Sequence, residues 1–272
     1  MHLDDPVFPP LLNGVAAAKG IMPADFAFDQ AQKAALGAGD LVWARSVDIA
    51  RCAVVLEPEV SCEKALAMVP LAMVATGDSI GAIAPPNVAI TFAWPKTIYA
   101  NGAKVGSVDL RFPNGAKRDE VPKFAVLSLE IYVRWPSGGK THNGELSASS
   151  TSTGFINGEL GEPGDNLNQT VLYEEGCGEL DRTQIMESWA RHFLAWVDTW
   201  EQDGFKSVHE NWLFRAKDRN QSVVIEVGNV SHEGELAGLD EDGGILLKND
   251  KAMTLIPLAD LWFSPQAQEP KQ

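Results

Sequence analysis

Hydrophobic and polar positions change their period several times along the chain, and each change marks an element. Apolar residues at helical spacing over residues 24–36, stopped by Gly37 and Gly39, predict a first helix. Residues 40–45 and 51–56 are β-rich runs with a short turn between them. Ser61, Glu63 and Lys64 open a second helix, which Pro70 should kink or interrupt before Gly81 ends it. Residues 88–93 alternate as a strand, and 104–112 and 124–135 read as two more. Residues 136–170, rich in Gly, Ser, Thr and Asn, are expected to form either a mobile loop or a long excursion with a little strand at 154–157.

Asp181 stands three places before Gln184, a capping-box pattern. The helix it opens carries Ile185, Trp189, Phe193, Trp196 and Trp200 at helical spacing, a stripe suited to facing a core. Gly204 ends it, and residues 205–216 form a further helix. From Ser222 the pattern switches to short strands at 223–227, 233–239, 245–248 and 253–256, with a turn at Asp240-Glu241-Asp242-Gly243-Gly244. That spacing predicts a small SH3-like β-barrel. The expected architecture is α+β: a mixed β-sheet with flanking helices over residues 1–220, the barrel over 221–264, and a tail from 265 to 272.

Composition narrows the function classes. Forty-five per cent apolar residues and eight Trp in 272 residues support a sizeable core. With 22 Lys+Arg against 37 Asp+Glu the net charge is −15, which argues against a nucleic-acid partner. The N-terminus shows no secretory pattern, and the apolar run at 65–75 is short and holds Pro70, so a cytoplasmic protein with no membrane partner is expected. Cys52, Cys62 and Cys177 lack CxxC spacing, and His2, His142, His192, His209 and His232 are scattered, so no metal site is expected.

The stretch from Trp94 to Val108 carries the candidate chemistry. It reads as a strand, a turn at Pro95, a tight Asn101-Gly102 hairpin and a second strand opening with Lys104. The Lys104 ammonium is suited to a carboxylate or phosphate, or is an ordinary solvated strand-start lysine. Gly106 and Ser107 are small enough for a ligand to approach the backbone, or serve sheet packing alone. Cys177, in a glycine-flanked turn before a helix, is either a nucleophile or a structural thiol surrounded by Glu174, Glu175, Glu179 and Asp181.

This unit resembles the WPND turn, hairpin and lysine-led strand of biotin–protein ligases. The order of 168–176, 180–183, the Trp helix, 200–205 and 238–247 is similar to the C-terminal half of the bacterial enzymes. From about residue 25 to 262 the chain is identified as a divergent member of the biotin/lipoate protein ligase family, a fold distantly similar to class II synthetases. The resemblance implies an acyl–protein ligase that adenylates biotin, lipoate or a fatty acid with ATP and magnesium and passes it to a lysine of an acyl-carrier domain. It allows a homodimer. It casts Lys104 as the catalytic lysine, with Trp94, Gly106, Ser107 and Arg45 as substrate-binding residues. Two alternatives stand beside it. One is ATP-independent octanoyl- or lipoyl-type transfer through Cys177 and Lys104; the other is a non-catalytic ligase-fold binding protein.

Three departures mark the branch. Lys96 and Thr97 replace the last two residues of the turn motif. Only Ser46-Val47-Asp48 lies where the family carries a Gly/Arg-rich loop, with Arg45 as its basic remnant and Arg51 behind it. Leu127-Ser128-Leu129-Glu130-Ile131 replaces a glycine-rich strand with an Asn.

Overall fold

The computed structural model describes residues 4–136, 168–249 and 252–263. The strand expected at 154–157 lies outside them. The elements in chain order are β1 (Asn13–Ala16), α1 (Pro23–Gln32), β2 (Asp40–Trp43), β3 (Ile49–Leu56), α2 (Cys62–Ala65), α3 (Met68–Ile83) and β4 (Ile90–Ala93). They continue with β5 (Thr97–Ala100), β6 (Ala103–Arg111), β7 (Ala125–Tyr132), α4 (Arg182–Asp203) and α5 (Lys206–Phe214). The C-terminal part holds β8 (Ser222–Val227), β9 (Val230–Leu239), β10 (Ile245–Lys248), β11 (Met253–Ile256) and α6 (Leu258–Trp262).

Seven strands form a mixed sheet in the order β1-β2-β3-β7-β6-β5-β4. Only the β1–β2 pair is parallel; the remaining neighbours are antiparallel. The longest ladder joins β3 to β7, from Ile49↔Tyr132 to Leu56↔Ala125. Because side chains alternate along a strand, this register separates two unlike faces. Leu127, Leu129 and Ile131 of β7 and Val108 and Leu110 of β6 enter the main core with Leu71, Val74, Trp189 and Phe193 from α3 and α4. On the other face α1 covers one end, where Ala27, Phe28 and Ala31 pack against Val42, Ala53, Val55 and Val126.

The helices follow local rules. Pro23 sits at the start of α1, where its missing N–H is no loss. The helix ends at Gln32 rather than near 36, because the chain turns back through Ala34 at φ 54°. Pro70 falls in the first turn of α3, so the interruption lies at Leu66 and Ala67, ahead of the proline. The stretch Cys62–Ile83 has the length and mean hydropathy (1.6) to cross a bilayer, but 72% of that apolar window is buried inside the protein. An all-round apolar helix is then the centre of the core. Asp181 caps α4 by accepting from the N–H of Thr183 and Gln184, and Gln184 answers the Asp181 N–H, completing the expected capping box.

The C-terminal strands form where expected, yet they do not close. Among the described residues they make an open four-stranded antiparallel sheet in the order β11-β10-β9-β8, so the strands are present and the expected barrel is not confirmed. After β11 the chain enters α6 instead of returning to β8, and α6 buries Leu258, Ala259 and Trp262. Leu236, Leu239, Ile245, Leu247 and Ile256 share one apolar cluster with the large sheet's core. Two indoles reinforce the junction: Trp94 donates to the Gly243 carbonyl at 3.0 Å and Trp262 to the Leu110 carbonyl at 2.7 Å.

Gly106 has a structural reason. A Cβ there would lie 2.2 Å from the Glu130 carbonyl oxygen on β7, so the strand pair itself demands glycine. Gly106→Ala should therefore lower the unfolding free energy by about 1–3 kcal/mol. Urea denaturation measures this; an unchanged midpoint would return Gly106 to a ligand-facing role.

Candidate functional site

The hairpin that carries Lys104 is built as the sequence indicates. Asn101 and Gly102 both take positive φ, 48° and 93°, and join β5 to β6 in two residues. A register shift between Ile98 and Tyr99 then pairs Tyr99 with Lys104 and Ile98 with Gly106. The extra residue, Val105, is a bulge that turns into the core. Lys104 is fixed on its outer side as well: its N–H donates to the Asn168 carbonyl at 2.7 Å, and its carbonyl accepts from Thr170 at 2.9 Å.

Since Ile98 and Ala100 belong to the core, Tyr99 and its partner Lys104 lie on the opposite face. Alternation adds Thr97, Ser107, Glu130 and Arg51, which stand side by side across β5, β6, β7 and β3. One step further along stand Asp109 and Ser128. The result is a polar sheet face, bounded at one end by α1 and at the other by Ile49, Tyr132 and Val171, with Trp135 packed on them.

The charges on this face are mostly compensated. Arg51 donates through Nε and Nη2 to Glu130 Oε1 at 2.8 and 2.6 Å, with both side chains about a fifth to a quarter exposed. Lys96 Nζ sits 2.9 Å from Asp109 Oδ1, and Asp109 is 2% exposed. Burial pushes the Asp109 carboxyl up from 3.8 to about 6, against the opposing pull of Lys96. Lys217 Nζ lies 4.3 Å from the Tyr99 ring centroid. Lys104, half-buried, has no carboxylate at ion-pair distance among the described residues.

The predicted residues therefore divide. Lys104 and Ser107 share the polar face. Trp94 packs on the core side and bonds the C-terminal sheet, so it does not line a pocket with Lys104. Gly106 faces the β7 backbone. Arg45 is exposed, pairs with Asp5 at 2.7 Å and lies over the Trp43 ring on the core side of the sheet. Cys177 is 2% exposed within the main core, and burial followed by the Glu175 charge raises its pKa. A thiol so placed lacks the thiolate character that acyl transfer needs. A groove of about 330 Å³ lies away from all of these, between Asp203, Phe205, Lys206 and His209 on one side and Leu239, Asp240 and Glu241 on the other.

Sequence reading missed the two ion pairs and Lys217. Asp109, a carboxylate between Val108 and Leu110 in an otherwise apolar run, was a legible sign of a buried charge needing a partner. Nothing local in the sequence places Arg51 opposite Glu130; that follows from the β3–β7 register.

Residues 8–214 match the model of the biotin/lipoate A/B protein ligase family. A biotin–[acetyl-CoA-carboxylase] ligase of Paracoccus denitrificans is 22% identical over 209 residues, 77% of this chain and 78% of that protein. The crystal structure of a biotin protein ligase-like protein of unknown function from Silicibacter sp. TM1040 superposes with a TM-score of 0.76. It is 32% identical, over 94% of this chain and 99% of that one. The biotin protein ligase of Aquifex aeolicus shares the fold, at TM-score 0.68 and 15% identity over 93% of this chain and 97% of that one.

Two outcomes follow from the geometry. All three cysteines are buried, so a thiol reagent should leave Cys52, Cys62 and Cys177 unmodified in the folded protein and label all three in denaturant. Rapid labelling of Cys177 in the native state would restore the nucleophile reading. For Asp109, folding raises the pKa, so the folded chain holds the proton more tightly between pH 3.8 and about 6. Its contribution to stability is fully present below pH 3.8 and is lost as pH rises to about 6. Urea unfolding should show wild-type stability falling across that window relative to Asp109→Asn; the opposite slope would mean that Lys96 holds the carboxyl below its ordinary value.

Proposed function

Because this chain belongs to the biotin/lipoate A/B protein ligase family, we propose that it binds a small carboxylic acid of the biotin, lipoate or fatty-acid kind on its polar sheet face and passes the acyl group to a carrier-domain lysine. The observation that carries this reading is Lys104: a half-buried ammonium, clamped by backbone bonds to Asn168 and Thr170, beside Ser107, on a face where the neighbouring Arg51 and Lys96 are already paired. A carboxylate placed there gains a charge-assisted hydrogen bond without breaking an existing ion pair.

The nucleotide fits less well. The connection from β2 to β3 is only Ala44 to Asp48, and Arg45 turns toward Asp5 and Trp43 instead of the polar face. That connection offers a triphosphate no basic cover, and none of the described residues forms a cluster of acidic or imidazole side chains suited to a metal ion. The same two facts, with the self-compensated pairs Arg51–Glu130 and Lys96–Asp109, favour a second reading: a ligase-fold protein that binds the acyl acid or a carrier domain without activating it.

Incubation with biotin, lipoate or octanoate, ATP, magnesium and a biotinyl or lipoyl carrier domain, followed by mass spectrometry of the carrier, separates the two. Acylated carrier supports the ligase; calorimetric binding of the acid with no adenylate and no acylated carrier supports the binder. In either case Lys104→Ala removes a charge-assisted bond worth about 1.5–3 kcal/mol. Acid binding should weaken about tenfold to a hundredfold. Unchanged affinity would remove Lys104 from the site.

A further inference from the structure

A second cluster of cations lies on the core side of the sheet, away from Lys104. Arg182, the first residue of α4, is 2% exposed. Its Nε and Nη1 have no hydrogen-bond partner among the described residues, and its Nη2 reaches only the Asp4 carbonyl, at 3.5 Å. A buried guanidinium with two idle donor groups is costly, because native folds pair nearly all such atoms. Burial lowers its pKa, the expected sign of an undercompensated cation. Arg45 belongs to the same cluster: both guanidinium carbons lie 5.0 Å from the centroid of the Trp43 ring.

Residues 4–8 run across the start of α4 as a strap. The Asp4 carbonyl accepts from Thr183 Oγ1 at 2.9 Å, the Val7 N–H donates to Glu187 Oε1 at 2.7 Å, and Phe8 packs near Gly14. Asp5 places its carboxylate on Arg45 at 2.7 Å, with about half of each side chain exposed. Asp181, the other acid nearby, is committed to capping α4. The strap thus brings a carboxylate to one arginine of the cluster and leaves the other unsatisfied.

We propose that Arg182 and Arg45, gathered around Trp43, form a binding site for a compact oxyanion, a carboxylate or phosphate group, which the strap's Asp5 carboxylate closes in this conformation. The side-on edge of a guanidinium, Nε with Nη2, takes two oxygens of one anion; in Arg182 the Nε is idle and Nη2 holds only the Asp4 carbonyl at 3.5 Å, while Nη1 is a further idle donor. Entry requires Asp5 to leave Arg45, so the chain's own acid and the external anion compete for one pair of guanidinium groups. The site shares no residue with the polar face; Arg45, which the resemblance cast as substrate-binding, belongs to this cluster instead.

The test is a titration of the full chain with inorganic phosphate and, separately, with acetate, followed by the arginine Nε–Hε NMR signals. The Arg182 signal is assigned by its loss in Arg182→Gln, or in Arg182→Lys where the first variant fails to fold. A saturable shift of that signal is expected, with about tenfold tighter binding in Asp5→Asn, where the competing charge is gone. A response to phosphate alone or acetate alone assigns the preferred oxyanion. If neither anion moves the Arg182 signal in the wild type or in Asp5→Asn, the proposal is overturned and Arg182 is a structural cation stacked on Trp43.

Discussion

Everything in this fold depends on β7 being held between β3 and β6 in a register that gives the sheet two chemically opposite sides. Leu127, Leu129 and Ile131 point one way and anchor α3, α4 and the C-terminal strands in a shared core. Ser128 and Glu130 point the other way and meet Asp109, Ser107 and Arg51. A slip of one residue would drive the ionic row into the core and put the leucines outside. Gly106 protects the register from the β6 side, because any side chain there collides with the β7 backbone.

The other side of the sheet is a polar face centred on β6 and β7. Lys104 is fixed by a hairpin on one side and by residues 168–170 on the other. Around it, acids and bases have been matched: Arg51 with Glu130, Lys96 with Asp109. Paired charges are tolerated at a half-buried surface where single ones are expensive, so a face of this kind can be preorganised and polar without carrying a net field. The net charge of −15 is then largely a property of the remaining surface.

The sequence made the elements legible and the contacts between them much less so. The Asn101-Gly102 hairpin, the capping box at Asp181 and the Trp189 stripe are local signals, and each forms as its residues imply. The C-terminal strands were also readable one by one, but closure into a barrel depends on which edges meet, and among the described residues β8 and β11 stand at opposite edges of an open sheet. Trp94 shows the same limit: the motif placed it beside Lys104 in the chain, while the fold sends its indole to Gly243. Arg182 had no local signature beyond the cap, since its side chain's one hydrogen bond among the described residues goes to Asp4, 178 residues earlier.

The central claim is that the polar face around Lys104 receives the small acid. Backbone amide NMR of the full chain, titrated with biotin, lipoate and octanoate, tests it most directly. The account predicts that the acid that binds will shift Lys104, Ser107, Glu130 and Tyr132 together, with the groove at Phe205 and His209 unaffected. Shifts confined to that groove, or no response to any of the three acids, would contradict it.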